Sequence, residues 1–300
     1  MNEEILDGVK KLAFPKPDSH KGQNGRLLII GGSKLFHAAS LWSLTVASRI
    51  VDLVHYCSVE ENNKIVHELK KEFRNGIVVS RTDVDEYIAE DDVILIGPGM
   101  TRDEETKTLT DRLLKKYPAK QWVIDAGALQ MMELENIPKN AILTPHHQEF
   151  ELLVQHALVI NKNFYPSSVG NSISPLSNTA ESSEAGKNFV YSLRDKVHQF
   201  SKTHKCIVLL KGKEDIVSNG TETKIIEGGN AGMTKGGTGD VLAGLIAALA
   251  CTNDPWTATI AGSFINKKAG DELYKTVGPF FNASDLAGQI PRTMKEILSF

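Results

Sequence analysis

A series of short, largely apolar runs, each ending at a glycine or a polar turn, constrains this chain most. Arg26-Leu27-Leu28-Ile29-Ile30 stops at Gly31-Gly32-Ser33, and Val93 to Ile96 stops at Gly97-Pro98-Gly99-Met100. Leu53 to Ser58, Ile77 to Val79, Trp122 to Ile124, Ala141 to Leu143 and Cys206 to Leu210 follow the same plan. Stretches with apolar residues at helical spacing lie between them, at Ala38–Val51, Asn62–Phe73 and about Asp103–Lys116. Uniformly apolar strands alternating with helices predict an α/β fold, with a mainly parallel central sheet covered by helices on both faces.

Unusual residues collect at one edge of that sheet. Gly31-Gly32-Ser33, Gly97-Pro98-Gly99, Asp125 and His146 all lie just past C-terminal strand ends, where open α/β sheets bind ligands. Each has an ordinary reading: the glycines as turns, Asp125 as a helix cap, His146 as a polar residue beside a proline turn. Their coincidence on one edge points to a site.

The stretch Gly228-Gly229-Asn230-Ala231-Gly232-Met233-Thr234-Lys235-Gly236-Gly237-Thr238-Gly239-Asp240 runs into the uncharged Val241–Ala250. Glycine-rich loop followed by buried helix presents unpaired N–H groups and a partial positive charge to an anion. Asp240 there is either a first-turn aspartate favoured by the dipole or a general base for a hydroxyl about to attack phosphorus.

Elsewhere, Met1–Gln23 reads as a surface arm, and the Ser/Asn-rich residues at about 155–184 as an extended loop inserted between sheet elements. Helix resumes near Ala185, with Phe189, Leu193, Val197 and Phe200 as its apolar stripe. Ile216 to Ile226 reads as a hairpin with a primed turn at Asn219-Gly220. Ala258–Tyr274 and Ala283–Ile297 read as closing helices, the second started by Asn282-Ala283-Ser284-Asp285. A net charge of −3 gives no support for nucleic acid or an anionic membrane as partner, and no run is long enough to span a bilayer. Cys57, Cys206 and Cys251 lack disulfide-scaffold or zinc spacing, and the acidic N-terminus has no signal-peptide core. A cytoplasmic enzyme or binding protein is the expectation.

Taken in order, His20-Lys21-Gly22, Gly25 to Ser33, Gly97 to Gly99, Thr144 to Glu149, Lys211-Gly212 and Gly229 to Leu242 resemble the ADP- or ATP-dependent NAD(P)H-hydrate dehydratase family of the ribokinase-like superfamily. The resemblance covers residues from about 14 to 296. It implies a ribokinase-like three-layer sandwich, one domain over 1–300 with the 155–184 insertion and no N-terminal epimerase domain. It further implies repair of hydrated NADH or NADPH: the ring hydroxyl is phosphorylated by ADP (favoured) or ATP, then phosphate leaves and the double bond reforms. By this analogy Asp240 is the base, and the N–H groups of Gly237, Thr238 and Gly239 hold the transferring phosphoryl group. Ala39, Gly99, His146 and Asp240 face the hydrated cofactor; Lys211, Gly212, Lys213, Glu214, Asp215 and Gly239 lie along the nucleotide. Mg²⁺ accompanies the nucleotide, with Glu149 as a candidate to orient a metal-bound water and the metal ligands otherwise unassigned. A homo-oligomer, often a tetramer, and a separate NAD(P)H-hydrate epimerase acting alongside are also implied.

The chain departs from the family pattern at Ala38, Gly127 and His147-Gln148, where Gly, Asp and Pro-Gly are usual. Two alternatives stay open: a ribokinase-like kinase of a small alcohol such as a hydroxymethylpyrimidine or hydroxyethylthiazole, and a nucleotide-binding protein without catalysis.

Overall fold

The apolar runs become strands of one sheet, all inner except Ile77–Val79, which forms one edge. The computed structural model describes residues 3–160 and 184–299, with 184–192 described by their backbone alone. In chain order the elements are α1 (Glu3–Val9), β1 (Arg26–Ile30), α2 (His37–Ala47), β2 (Leu53–Cys57), α3 (Glu60–Leu69), β3 (Ile77–Val79) and α4 (Val84–Glu90). Then come β4 (Val93–Ile96), α5 (Glu104–Lys116), β5 (Gln121–Ile124), α6 (Ala126–Met131), β6 (Ile142–Leu143), α7 (His147–Ile160) and α8 (Glu184–His204). The chain closes with β7 (Ile207–Leu210), β8 (Asp215–Ser218), β9 (Thr223–Ile226), α9 (Thr238–Ala250), α10 (Pro255–Val277) and α11 (Ala283–Leu298).

Among the described residues the sheet has nine strands in the order β3-β2-β1-β4-β5-β6-β7-β8-β9. Pairings from β3 across to β7 are parallel; β7–β8 and β8–β9 are antiparallel. Alternate residues of each strand feed two cores. Leu27, Ile29, Val54, Val93, Leu95 and Val123 pack with α2 and α9–α11, whereas Leu28, Ile30, Ile94, Ile96 and Ile124 pack on the other face with α5, α7 and α8. Burial on both faces is why these strands are apolar throughout rather than alternating.

The chain runs outward from β1 through β2 to β3, then returns beside β1 as β4 and proceeds the other way. The loops after β1 and β4 therefore flank the crevice expected at the switch of direction, and they touch there, Gly32 N–H donating to Pro98 O at 2.7 Å. Gly31-Gly32 and Gly97-Pro98-Gly99 form its two lips.

Several elements differ from the sequence reading. The expected surface arm contains α1, because Ile5 and Val9, one helical turn apart, are buried at 5% and 1% exposure and pack toward α10. Two helices, α4 and α6, occupy stretches too short for a clear helical period. Helix α7 continues to Ile160, so the first residues of the expected 155–184 loop are helical; most of that loop lies outside the described residues. The β8–β9 connection is a four-residue loop, since Ser218 pairs with Thr223. Asn219 Oδ1 accepts from the N–H groups of Thr221 (2.9 Å) and Glu222 (2.7 Å), and of the Asn-Gly pair Gly220 alone has a positive φ. An Asx turn thus replaces the expected primed turn. The start signal before α11 holds: Asn282 Oδ1 accepts from Ser284 and Asp285 N–H, and Asp285 returns the bond to Asn282 N–H.

Candidate active site

Four titratable groups from four different elements converge beyond the β5–β6–β7 strand ends. Asp125, just after β5, is 2% exposed; its Oδ1 accepts from Lys211 Nζ at 2.9 Å and Thr144 Oγ1 at 2.8 Å. It stands at the N-cap position of α6 but makes no side-chain cap bond, so its carboxylate is not spent on capping the helix. Glu149, in the first turn of α7, is 4% exposed and accepts from Gln130 Nε2 (2.9 Å) and from the His146 backbone N–H (2.8 Å). Asp240 lies in the first turn of α9, and Lys211 reaches toward that helix end: a Cβ on Gly239 would stand 3.4 Å from its Nζ.

Electrostatics follow from this crowding. Burial works against the Lys211 ammonium, but Asp125, Glu149 and Asp240 outweigh it and raise its pKa above the ordinary lysine value. Burial, then the Asp125 charge, push the Asp240 carboxyl up to about 7; Lys211 opposes them and Glu149 adds to them. A carboxylate that titrates near neutrality, at a helix end suited to anions, is matched to taking a proton from a substrate hydroxyl.

The glycine loop reaches α9 through a short 3-10 turn, Ala231–Thr234, capped by Asn230. Gly237 turns the chain at φ +96°, and a Cβ there would meet the Trp42 ring at 2.2 Å, so both backbone and packing demand glycine. Thr238 is spent on the loop itself: its Oγ1 donates to Met233 O (2.7 Å) and Lys235 O (3.0 Å), and its N–H points to Lys235 O at 3.4 Å. Among the described residues the N–H groups of Gly237 and Gly239 have no acceptor, as the first turn of a helix leaves them. Beneath, Ser43 Oγ on α2 donates to Asp240 O at 2.7 Å, and α2 and α9 cross so closely that a Cβ on Gly244 would lie 2.6 Å from Ser43 Cα.

The expected cofactor-side residues gather less tightly. Ala39 and Gly99 are neighbours across the crevice, with Ala39 Cβ 2.9 Å from where a Gly99 Cβ would stand. His146 is joined to Lys211 by a parallel backbone bridge; its side chain, 46% exposed, sits on the rim with Nε2 3.5 Å from Glu149 Oε1. His147, one of the family departures, lies against the Lys211–Asp215 turn, its Nε2 3.3 Å from a Cβ built on Gly212.

Within that turn Lys213 and Glu214 are exposed, but Asp215 is 4% exposed and faces inward. Its Oδ1 accepts from Gly212 N–H (2.9 Å) and lies 3.3 Å from Lys267 Nζ, while its Oδ2 accepts from Ser263 Oγ (2.7 Å). Asp215 therefore brackets the turn. Lys267, Gln130 and Trp42 escaped the sequence reading; Thr144 entered it only as the first residue of the Thr144–Glu149 motif, with no role of its own.

The carboxylates among the described residues do not build a metal centre. Among the described residues no group of His, Cys, Asp and Glu side chains is arranged to hold an ion, and both Glu149 oxygens are already engaged. A divalent cation would arrive bound to nucleotide phosphates, as Mg²⁺ commonly does.

Gly97 couples the crevice to the charged cluster. Its φ is +120°, and a Cβ would fall 1.8 Å from the Asp125 carbonyl oxygen. Gly97→Ala is expected to destabilise the protein by about 3 kcal/mol or more, because backbone cannot retreat as a side chain can. Urea unfolding measures this; a loss below about 1 kcal/mol would contradict the geometry.

The NAD(P)H-hydrate dehydratase family profile matches residues 27–292. The chain is 36% identical over 294 residues to the bifunctional NAD(P)H-hydrate repair enzyme Nnr of Methanocaldococcus jannaschii, covering 96% of this chain and 51% of that one. It is 32% identical to the ADP-dependent (S)-NAD(P)H-hydrate dehydratase of Nitrosopumilus maritimus, covering 96% and 94% of the two chains. It spans about half the length of the first curated relatives it matches. The Bacillus subtilis ADP/ATP-dependent NAD(P)H-hydrate dehydratase, crystallised with ATP and Mg²⁺, superposes with a TM-score of 0.73 at 21% identity over 97% of both chains. The fold is the ribokinase-like one. With a family match over most of its length and a relative of its own size at 32% identity, the chain belongs to the NAD(P)H-hydrate dehydratase family.

Proposed function

We propose that this protein restores hydrated NADH and NADPH to NADH and NADPH at the expense of a nucleotide, with ADP favoured over ATP as phosphoryl donor. The observation that carries this reading is Asp240, a carboxyl raised to about 7 at the start of α9 beside Lys211, within a chain that matches the family throughout. The donor preference rests on the ADP-dependent relatives of similar length.

The reaction divides into two halves. Asp240 accepts the proton of the ring hydroxyl as its oxygen attacks the terminal phosphorus of the donor; the P–O bond to the leaving nucleotide breaks, so ADP leaves as AMP. Gly237 and Gly239 N–H groups, with Lys211, face the negative phosphoryl group in transit. In the second half the ring C–O bond breaks and inorganic phosphate departs with the bonding pair. The neighbouring carbon loses its proton to water, and its C–H pair becomes the restored double bond. Mg²⁺ bound to the nucleotide phosphates would offset their charge at this site; the Bacillus subtilis protein was crystallised with ATP and Mg²⁺. Thr238 and Asp215 serve by shaping their loops, while Ala39, Gly99 and His146 border the hydrated cofactor.

The bifunctional names of relatives about twice as long support a second repair activity working alongside, which we take to be epimerisation of the hydrate. Among the described residues no helix is long and apolar enough to cross a membrane. A cytoplasmic homotetramer completes the proposal.

The test is absorbance of the reduced nicotinamide ring, with purified protein, hydrated NADH or NADPH, Mg²⁺ and either nucleotide. Recovery of absorbance with stoichiometric release of phosphate is expected, faster with ADP. No recovery with either donor, together with nucleotide consumption on hydroxyethylthiazole or a hydroxymethylpyrimidine, would replace the dehydratase with a kinase.

A further inference from the structure

Helix α10 carries a polar ladder in an otherwise buried face. Ser263, Lys267 and Asp271 are spaced four residues apart and lie one above another. Each holds backbone or side chain of a loop at the site, and no residue of α10 featured in the sequence reading of that site. Lys267 is 5% exposed, and its Nζ donates to Gly212 O (3.0 Å), Lys213 O (3.0 Å) and Gly228 O (3.2 Å), with Asp215 Oδ1 at 3.3 Å. Ser263 Oγ holds the other Asp215 oxygen, and Asp271 accepts from Gly229 N–H and Asn230 Nδ2, both at 3.2 Å.

Gly212 and Lys213 belong to the turn read above as nucleotide-binding; Gly228 opens the glycine loop that ends at Asp240. Their carbonyls all point at one ammonium. Without a cation between them these oxygens and the Asp215 carboxylate would repel one another, and buried carbonyls without a donor are costly. Neighbouring Lys268 turns outward instead, to Glu272 at 3.2 Å.

We propose that Lys267 is a positioning residue for the nucleotide: a tethered cation that fixes the spacing between the Lys211–Asp215 turn and the glycine loop. It keeps their carbonyls turned inward and so holds the turn that carries Lys211 at a fixed distance from the loop that leads to Asp240. The proposal rests on the nucleotide reading of these two loops. Its signature is a defect in donor binding, because every group that Lys267 holds belongs to the Lys211–Asp215 turn or to the glycine loop.

Full-length Lys267→Ala, with Lys268→Ala as control, is assayed for the KM of ADP and of hydrated NADH in ammonium chloride and, at equal ionic strength, tetramethylammonium chloride. The nucleotide KM is expected to rise about tenfold or more while the hydrate KM stays within about threefold. Ammonium, small enough for the carbonyl cage, is expected to recover a large part of the loss, and tetramethylammonium none. A nucleotide KM within about twofold of wild type, an equal loss for both substrates, or a split that ammonium narrows no more than tetramethylammonium overturns the proposal. Should Lys267→Ala fail to fold, Lys267→Gln, which keeps the stem and two donors without the charge, is judged on the same KM split, with Lys267→Arg as its conservative partner. Wild-type protein indifferent to nucleotide sinks the functional reading and this inference together; wild type that uses nucleotide, with an unsplit variant, sinks the inference alone.

Discussion

Asp240→Asn is expected to lower turnover by about 10³-fold while leaving the nucleotide KM within a fewfold of wild type, since the amide fits the helix end but cannot accept the hydroxyl proton. Wild-type turnover should climb as pH rises through about 7, where the Asp240 carboxyl ionises, and the residual activity of the variant should lose that limb. Stability moves the other way. The carboxyl is raised from 3.8 to about 7 in the folded protein, so between those values the folded state binds more protons than the unfolded chain. Stability from this group is therefore lost progressively as pH rises across that window, by up to about 4 kcal/mol above it. Asn carries no such charge. Asp240→Asn should accordingly be more stable than wild type by about 2–4 kcal/mol at pH about 8 and nearly equal to it at pH about 3.5. Urea unfolding at both pH values, with turnover measured on the same preparations, provides the check. A variant that keeps turnover within about tenfold, or is the less stable at the higher pH, would remove Asp240 from the base role.

Lys211→Met is expected to cost both stability and function. It removes the ammonium that bonds to Asp125 and offsets the charges of Glu149 and Asp240, two of these three carboxylates being almost wholly buried. A loss of about 3–5 kcal/mol is expected, the usual penalty for leaving a buried charge without its partner. Because Lys211 holds the Asp240 carboxyl down, its removal should move the rising limb of the pH profile upward from about 7. Adding Asp125→Asn should restore part of the stability, since it withdraws one of the stranded charges, but not the turnover. Independent effects of the two substitutions on unfolding would mean that the 2.9 Å pair does not govern the cluster.

How much of this was legible beforehand depended on how local its cause was. Strands β1, β4 and β7 were readable because burial on both faces requires continuous apolar runs, and α11 because Asn282 and Asp285 satisfy its first turn within four residues. Asp125 and Lys211 were visible as polar residues at strand ends, a consequence of topology alone. Their 2.9 Å contact was not, for it joins residues 86 apart in sequence. Lys267 was invisible for the same reason: in sequence it is one of two adjacent lysines in a helix, and nothing local tells which faces solvent. Helices α1, α4 and α6 are too brief for a period to emerge, so tertiary packing decides them. The hairpin loop failed for a local reason, because the Asn219 side chain supplied the acceptor that a primed turn would have taken from the opposite strand.

The near-contact of α2 with α9 at Ser43 and Gly244 has a kinetic meaning. Ser43 donates to the carbonyl of Asp240, the proposed base, and Ala39 lies one helical turn earlier on the same helix. Base and crevice wall are thus parts of a single block, machined to one tolerance. In the proposed reaction the base and the Ala39 wall keep a spacing that the α2–α9 contact sets before either reactant arrives.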